Sequence, residues 1–265
     1  MSANDSPNAS APARLARTVA ITSGKGGVGK TFVSANLAAA LSRQGLKVLV
    51  LDADLGLANL DVVLNLYPKI TLHDVFTGKA QLEEAILPAP GGFSVLLAGS
   101  GLVEYSRLTP EVREQLLTIF DAVKPRFDVI LIDTGAGISD VVLYAISMAH
   151  EVIVVATPEP TSMTDAYATI KVLSAQQGRE QLNLVVNQVN RTGDGRTICN
   201  QLQQVVERFV QGANGNVPRL NFLGDIPLDT SVREAVRKRT LLLELHPGSP
   251  AAQSVVQIAT RLLSR

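Results

Sequence analysis

The chain has 265 residues, of which 46% are hydrophobic, and its 24 basic and 24 acidic side chains give a formal net charge of zero. This length and balance are typical of one α/β domain with a sizeable core, and they exclude a global field that would drive the chain onto nucleic acid or anionic lipid. Cys199 is the only cysteine, which excludes an internal disulfide, disfavours a cluster carrier and suits a reducing cytoplasm. No apolar run approaches the roughly twenty residues of a membrane-spanning helix. We expect a disordered tail over residues 1–16 and a single domain over residues 17–265.

The pattern along the chain alternates between apolar, β-branched strands and amphipathic helices. The predicted strands are 18–22, 47–52, 93–97, 128–133, 151–156, 182–187 and 220–223. The predicted helices are 32–44, 110–123, 161–176, 196–210, 231–238 and 250–263. Because parallel sheets covered on both faces have continuously apolar strands, this order predicts an α/β fold with a mostly parallel twisted sheet and helices on both faces.

A glycine-rich stretch joins the first predicted strand to the first predicted helix. It reads Gly24, Lys25, Gly26, Gly27, Val28, Gly29, Lys30 and Thr31, with Phe32 next in the helix. The spacing of Gly, four residues and Gly-Lys-Thr is that of a phosphate loop, in which glycines let backbone N–H groups curl around an anion. We expect Lys30 to reach the β- and γ-phosphates and the Thr31 hydroxyl to ligate Mg²⁺. The stretch therefore predicts a site for a nucleoside triphosphate and Mg²⁺.

Three acids follow predicted strands, at the edge where ligands of parallel sheets bind. Asp133 ends the run Val-Ile-Leu-Ile and stands where a Walker B carboxylate holds Mg²⁺ through water. Asp52 and Asp54 end the strand that begins at Lys47, and their spacing of two places both on one strand face while the chain stays extended. We expect these carboxylates to complete the site, the alternative being a pair of exposed acids at a strand end.

The sequence Lys-Gly-Gly-Val-Gly-Lys-Thr resembles the deviant phosphate loop of the MinD/ParA family of ATPases. The resemblance covers nearly the whole chain and implies a dimer that sandwiches two ATP molecules. It implies that Lys25 crosses the dimer interface to the partner's nucleotide, in the manner of an arginine finger supplied in trans. By the same resemblance, Asp54 orients or activates the attacking water, and Asp52 supports Mg²⁺ and that water.

The resemblance extends to four further positions. Glu159 is similar to a residue that reaches the partner's ribose, and Asn187, Pro227 and Asp229 are similar to positions that frame the adenine. Each is a weak signal alone, because Asn and Asp after strands are commonly turn residues.

Longer strings resemble one subgroup, the flagellar-number regulators FleN and FlhG, more than the ParA partition proteins. These strings are 52–61, 71–75, 133–139 and 157–167. The resemblance implies partners in a signal-recognition-type GTPase (FlhF) and a flagellar transcription activator. The motif of the subgroup that stimulates this GTPase is not found in residues 1–16.

Two surfaces leave alternatives open. The helix predicted at 250–263 carries an apolar stripe with few basic residues, which favours a core helix over a membrane-surface helix, although peripheral contact with the inner membrane or cell pole stays open. The basic cluster Arg233, Arg237, Lys238 and Arg239 is compatible with DNA phosphates or with a helix C-terminus. The first hypothesis is a dimerising switch ATPase of the FleN/FlhG type, and the alternative is a ParA-type partition or cargo-positioning ATPase.

Overall fold

The structure is a computed structural model that describes residues 15–54, 59–99, 108–191 and 193–264. The tail expected over residues 1–16 lies outside this part except for its last two residues, as do residues 55–58 of the subgroup string. The described strands are β1 (Arg17–Ser23), β2 (Val48–Ala53), β3 (Ile86–Pro88), β4 (Ser94–Leu96), β5 (Val129–Ala136), β6 (Glu151–Ala156), β7 (Gln181–Val189) and β8 (Arg219–Pro227).

Helices separate most of these strands and close the connections between them. They are α1 (Lys30–Ser42), α2 (Leu60–Leu64), α3 (Leu72–Phe76), α4 (Leu82–Ala85), α5 (Pro110–Val123), α6 (Asp140–Ser147), α7 (Pro160–Gln177), α8 (Asp194–Phe209), α9 (Thr230–Lys238), α10 (Leu242–Leu245) and α11 (Pro250–Leu263). A short 3₁₀ helix, Lys124–Arg126, follows α5. Every strand and helix predicted from the sequence is present, and α2, α3, α4, β3, α6 and α10 are additions.

The strands belong to one sheet in the order β3-β4-β2-β5-β1-β6-β7-β8. All neighbouring pairs are parallel except β3 with β4 at the edge. On the central strands, Asp133 of β5 is in register with Ile21 of β1 and with Asp52 of β2. The carboxyl ends of β1, β2 and β5 therefore meet at one edge of the sheet, as the predicted site requires.

Each face of the sheet has its own hydrophobic core. One core includes α1 and α11 and is built around residues such as Leu37, Val50 and Val255. The other includes α5 to α8 and is built around residues such as Phe120 and Ile170. The strands are buried on both sides because helices cover both faces, which explains their continuously apolar sequences.

The last helix settles the first open alternative in favour of a core helix. Four of the six apolar stripe residues of α11, Ala251, Val255, Ala259 and Leu262, are at most 1% exposed and pack in the core of the α1 face. Leu263 is partly buried against the same core, and only Val256 of the stripe is exposed. The apolar character of the other five residues is therefore explained by packing against the sheet and α1. Cys199 is buried in the opposite core, which agrees with a structural role.

Candidate functional site

The chain passes from β1 to α1 through a glycine loop. Gly27 and Gly29 have φ angles of 79° and 96°, in the left-handed region that side chains disfavour. A Cβ at Gly24 would lie 2.2 Å from the backbone oxygen of Asp165 in α7, so only glycine permits this approach. A Cβ at Gly26 or Gly27 would meet no atom within 4 Å. The space beside the loop is therefore open to a ligand.

Two polar side chains hold the loop in shape. The Asn187 side chain donates from Nδ2 to the carbonyl of Val28, 2.8 Å away. The Ser23 hydroxyl donates to the carbonyl of Lys25 at 2.7 Å and accepts from the Lys30 ammonium at 3.0 Å. Ser23 thus connects both lysines of the loop from a position with no exposed surface.

A cavity of about 640 Å³ lies beside the loop. Its lining includes Lys30, Thr31 and Phe32 at the start of α1 and Asp54 just beyond β2. This volume lies within the range of about 300–1,000 Å³ that is typical of small-molecule sites. The phosphate loop and a carboxylate therefore line one cavity at the carboxyl edge of the sheet.

Two buried charged side chains, Asp133 and Lys30, lie next to the cavity at the carboxyl edge of the sheet. Asp133 is 3% exposed, and burial raises its pKa to about 6, although hydrogen bonds from Ser34 and Thr31 and the charge of Lys30 oppose the rise. Burial also lowers the pKa of Lys30, against the opposing charges of Asp133 and Asp54. In both groups the cost of burial outweighs the attraction of the opposite charges, and such perturbed pKa values are common at functional sites.

The carboxylates of Asp52 and Asp54 lie on different cavities. The strand ends at Ala53, so the alternation that would align the two side chains stops before Asp54, which lines the 640 Å³ cavity. Asp52 lines a second cavity of about 300 Å³ and accepts the Asp54 backbone N–H through Oδ1 at 3.1 Å. Burial, followed by the charge of Asp133, raises the pKa of Asp52 well above its ordinary value. Asp52 thus holds the backbone of Asp54 from the side of the second cavity. The roles expected for both acids in hydrolysis stay predictions.

Lys25 and Glu159 meet each other within one chain. The Lys25 ammonium lies 2.7 Å from a Glu159 carboxylate oxygen and donates to the Thr161 hydroxyl at 2.9 Å. Neither side chain lines the 640 Å³ cavity. The two residues that the family resemblance assigns to the partner's nucleotide are therefore joined outside this chain's own cavity.

The three positions expected around the adenine also lie outside the lining of that cavity. The Asn187 side chain is bonded to the Val28 carbonyl of the loop, and Pro227 is the last residue of β8. The Asp229 carboxylate accepts the backbone N–H of Ser231 at 2.8 Å and that of Ala251 at 3.3 Å, so it caps α9 and contacts the start of α11. The turn-residue alternative thus describes Asp229 well, and its adenine contact stays a prediction.

The residues fit Mg²⁺ bound together with a nucleotide. Among the described residues, no group of three or more His, Cys, Asp or Glu side chains could hold a metal ion. Magnesium in nucleotide sites is usually held by one or two side chains together with phosphate oxygens and water. Thr31, which lines the cavity, and Asp133, whose pKa it lowers, supply such a partial donor set.

The comparisons with known proteins agree with this geometry. A family model described as ParA, NUBPL iron-transfer P-loop NTPase, matches residues 14–263. The chain belongs to the ParA/MinD family of P-loop ATPases. This chain has one cysteine, Cys199, and it is buried.

Relatives within the family include two flagellar proteins. The chain is 41% identical to antiactivator FleN of Pseudomonas aeruginosa, over 93% of this chain and 86% of FleN. It is 35% identical to the flagellum site-determining protein YlxH of Helicobacter pylori, over 93% of this chain and 82% of YlxH. Among solved structures, the chain is similar to septum site-determining protein MinD of Pyrococcus horikoshii, which was solved in complex with Mg-ADP. The two are 30% identical, with a TM-score of 0.76, and the match covers 94% of this chain and 96% of that MinD chain.

Within the described part of this ATPase, no helix has the length and apolarity to cross a membrane. The sequence pattern did not identify Ser23 and Ser34 as parts of the site. A helical spacing of four places Ser34 one turn after Lys30 on the same face, which is the signal that could have indicated it. Ser23 had no such signal, because its contact with Lys30 depends on how the loop folds back.

Proposed function

We propose that this protein is an ATP-dependent dimerising switch of the FleN/FlhG type, which restrains flagellar gene expression and helps set flagellar number and placement. The flagellar names of two relatives at 41% and 35% identity support this assignment. The dimer with ATP is the signalling state, and slow hydrolysis to ADP and phosphate resets it. The γ-phosphate acts as a ligand that favours one of the two states.

Two residues of the loop and three acids have separate roles in this proposal. The Lys30 ammonium would bind the β- and γ-phosphates, and Thr31 and Asp133 would hold Mg²⁺. Bound Mg²⁺ neutralises charge on the phosphate oxygens. The Asp54 carboxylate orients the attacking water, and Asp52 fixes the backbone of Asp54 through their hydrogen bond.

The observation that carries the dimer is the position of Lys25. Its ammonium is held by Glu159 and Thr161, outside the cavity that Lys30 and Asp54 line. A lysine in this position does not serve the nucleotide of its own chain, whereas a second copy facing the cavity brings an equivalent lysine to it. Glu159, released from Lys25, reaches the ribose bound by the partner.

The proposed partners follow from the flagellar assignment. They are a second copy of the chain, a signal-recognition-type GTPase similar to FlhF, and a flagellar transcription activator. We propose a cytoplasmic protein that works at the inner membrane or the cell pole through such partners.

The decisive experiment measures mass in solution by light scattering for the parent, Lys30→Ala and Asp54→Ala, each with Mg·ADP and with Mg·ATP. We expect Asp54→Ala to accumulate as a dimer with ATP only, and Lys30→Ala to stay monomeric because it no longer binds ATP tightly. Asp121→Ala, which removes a carboxylate on the surface of α5, is the matched control and should behave like the parent. A monomer under every condition removes the trans role of Lys25. Normal ATP affinity in Lys30→Ala, measured in parallel by fluorescence titration, refutes the phosphate-loop assignment.

One observation favours the second candidate, a ParA-type ATPase that binds DNA as a dimer. Arg233, Arg237 and Arg239 form no ion pair with any described residue, whereas Lys238 is paired with Glu234. Val236, between these arginines, lines the 640 Å³ cavity, so nucleotide and arginines share one region. Sheared DNA added to the ATP dimer decides between the two: salt-sensitive retention favours partition, and no retention favours the flagellar switch.

A further inference from the structure

The side chain of Ser34 contacts the buried Asp133 carboxylate and does not line the 640 Å³ cavity. It is fully buried in α1, one turn beyond Lys30. Its hydroxyl lies 2.8 Å from Oδ1 of Asp133 and 3.0 Å from the backbone carbonyl of Lys30. The hydroxyl has one proton, and the nearer, ionisable carboxylate is the stronger acceptor.

Two hydroxyl groups of α1 hold the Asp133 carboxylate, those of Thr31 and Ser34. In the proposed site the Thr31 oxygen would ligate Mg²⁺, so the position of this hydroxyl would depend on the metal. Ser34 is buried away from the cavity and holds Oδ1 of Asp133 whether or not the metal is bound. It would therefore fix the rotation of the carboxylate before Mg²⁺ arrives.

We propose that Ser34 is a positioning residue for the magnesium site and acts on the metal only through Asp133. This inference rests on the proposed ATPase function and adds a residue to it. The alternative is that Ser34 only bonds back to its own helix, as buried serines in helices often do. In that case its removal changes the stability of α1 and leaves metal affinity unchanged.

The test titrates Mg²⁺ against the parent and Ser34→Ala with a fixed concentration of the non-hydrolysable analogue AMPPNP, and follows nucleotide binding by calorimetry. Loss of a residue that orients a metal ligand typically costs about 10- to 100-fold in metal affinity. We expect Ser34→Ala to need at least about tenfold more Mg²⁺ for half-saturation, with AMPPNP affinity in EDTA unchanged. Ser34→Thr, which keeps the hydroxyl, should restore the half-saturation of the parent.

Ser42→Ala is the matched control, because Ser42 is on the same helix and its buried hydroxyl has no partner among the described residues. It should leave the Mg²⁺ half-saturation unchanged. Ser34→Cys fills the space of the serine with a weak donor, so it tests the hydroxyl even if the alanine variant fails to fold. An unchanged half-saturation in folded Ser34→Ala or Ser34→Cys, or an equal shift in Ser42→Ala, overturns the inference. Failure of the parent itself to bind Mg·AMPPNP instead refutes the proposed function.

Discussion

Replacement of the buried Asp133 by asparagine should stabilise the nucleotide-free protein at neutral pH. The pKa of this carboxyl group is about 6 in the folded protein and has an ordinary value of 3.8. Above pH 6 the group is ionised both in the folded and in the unfolded chain, and the folded state carries the cost of a buried charge. The difference of about two pKa units corresponds to about 3 kcal/mol.

The sign of the pH dependence follows from the raised pKa. Well below pH 3.8 the carboxyl group is protonated in both states and no cost arises, so the parent loses this stability as the pH rises from about 3.8 through 6. Asp133→Asn has no such loss. The gain of the variant over the parent should therefore be near zero at pH 4 and approach about 3 kcal/mol at pH 7.5.

The assay is thermal and urea unfolding of both proteins from pH 4 to pH 8, without nucleotide. For a domain of this size, about 3 kcal/mol shifts the melting temperature by roughly 6–12 °C. With saturating Mg·ATP the order should reverse, because only the parent has the carboxylate that holds the metal. Asp121→Asn, on the surface, is the control and should follow the parent. If the parent and Asp133→Asn have parallel pH profiles, folding does not raise the pKa of Asp133 and the reasoning is refuted.

Three further predictions concern the loop and its supports. Gly24→Ala should destabilise the protein by about 1–3 kcal/mol in urea unfolding, because the alanine Cβ would overlap the Asp165 carbonyl. An unchanged stability would mean that α7 can shift away from the loop without cost. Lys25→Ala should lose dimerisation or turnover while keeping most of its affinity for a single nucleotide, as fluorescence titration can show, and a full dimer with parental turnover would refute the trans role. Asp229→Ala should lower the melting temperature by removing the cap of α9, worth about 1 kcal/mol, and a large loss of ATP affinity without destabilisation would instead support an adenine contact.

The sequence predicted the central part of the fold because its signals are local and strong. The strands β1, β2, β5, β6 and β7 are mostly apolar runs, and α5, α8 and α11 have clear helical periodicity. Helix α1 is buried at nearly every position and was indicated by its Ala- and Leu-rich sequence after the glycine loop. Helices of four or five residues such as α2, α4 and α10 show barely one turn of pattern, so periodicity cannot reveal them. The prediction of β8 ended at residue 223 because Gly224 and Asp225 look like turn residues, yet the strand continues to Pro227 beside β7.

In the candidate site, the phosphate loop and its acids were predicted because motif spacing encodes them directly. The sequence could not show that Asp52 and Asp54 face different cavities, since this depends on where β2 ends. It also could not show the contact of Lys25 with Glu159, which are 134 positions apart. Such contacts are set by how α7 packs beside the loop, and no local pattern records that packing.

The pairing of Lys25 with Glu159 has a consequence for which nucleotide the proposed dimer accepts. The two side chains are 37% and 63% exposed, so their attraction is worth at most about 1 kcal/mol. To enter a partner's site, the Lys25 ammonium must leave the Glu159 carboxylate and bind the phosphates of the partner's nucleotide. The carboxylate and the phosphates therefore compete for the same ammonium. A triphosphate carries more negative charge than a diphosphate and wins this competition more easily. The weak contact with Glu159 therefore sets the attraction that a partner's nucleotide must exceed to draw Lys25 across the interface. ATP exceeds it by more than ADP does.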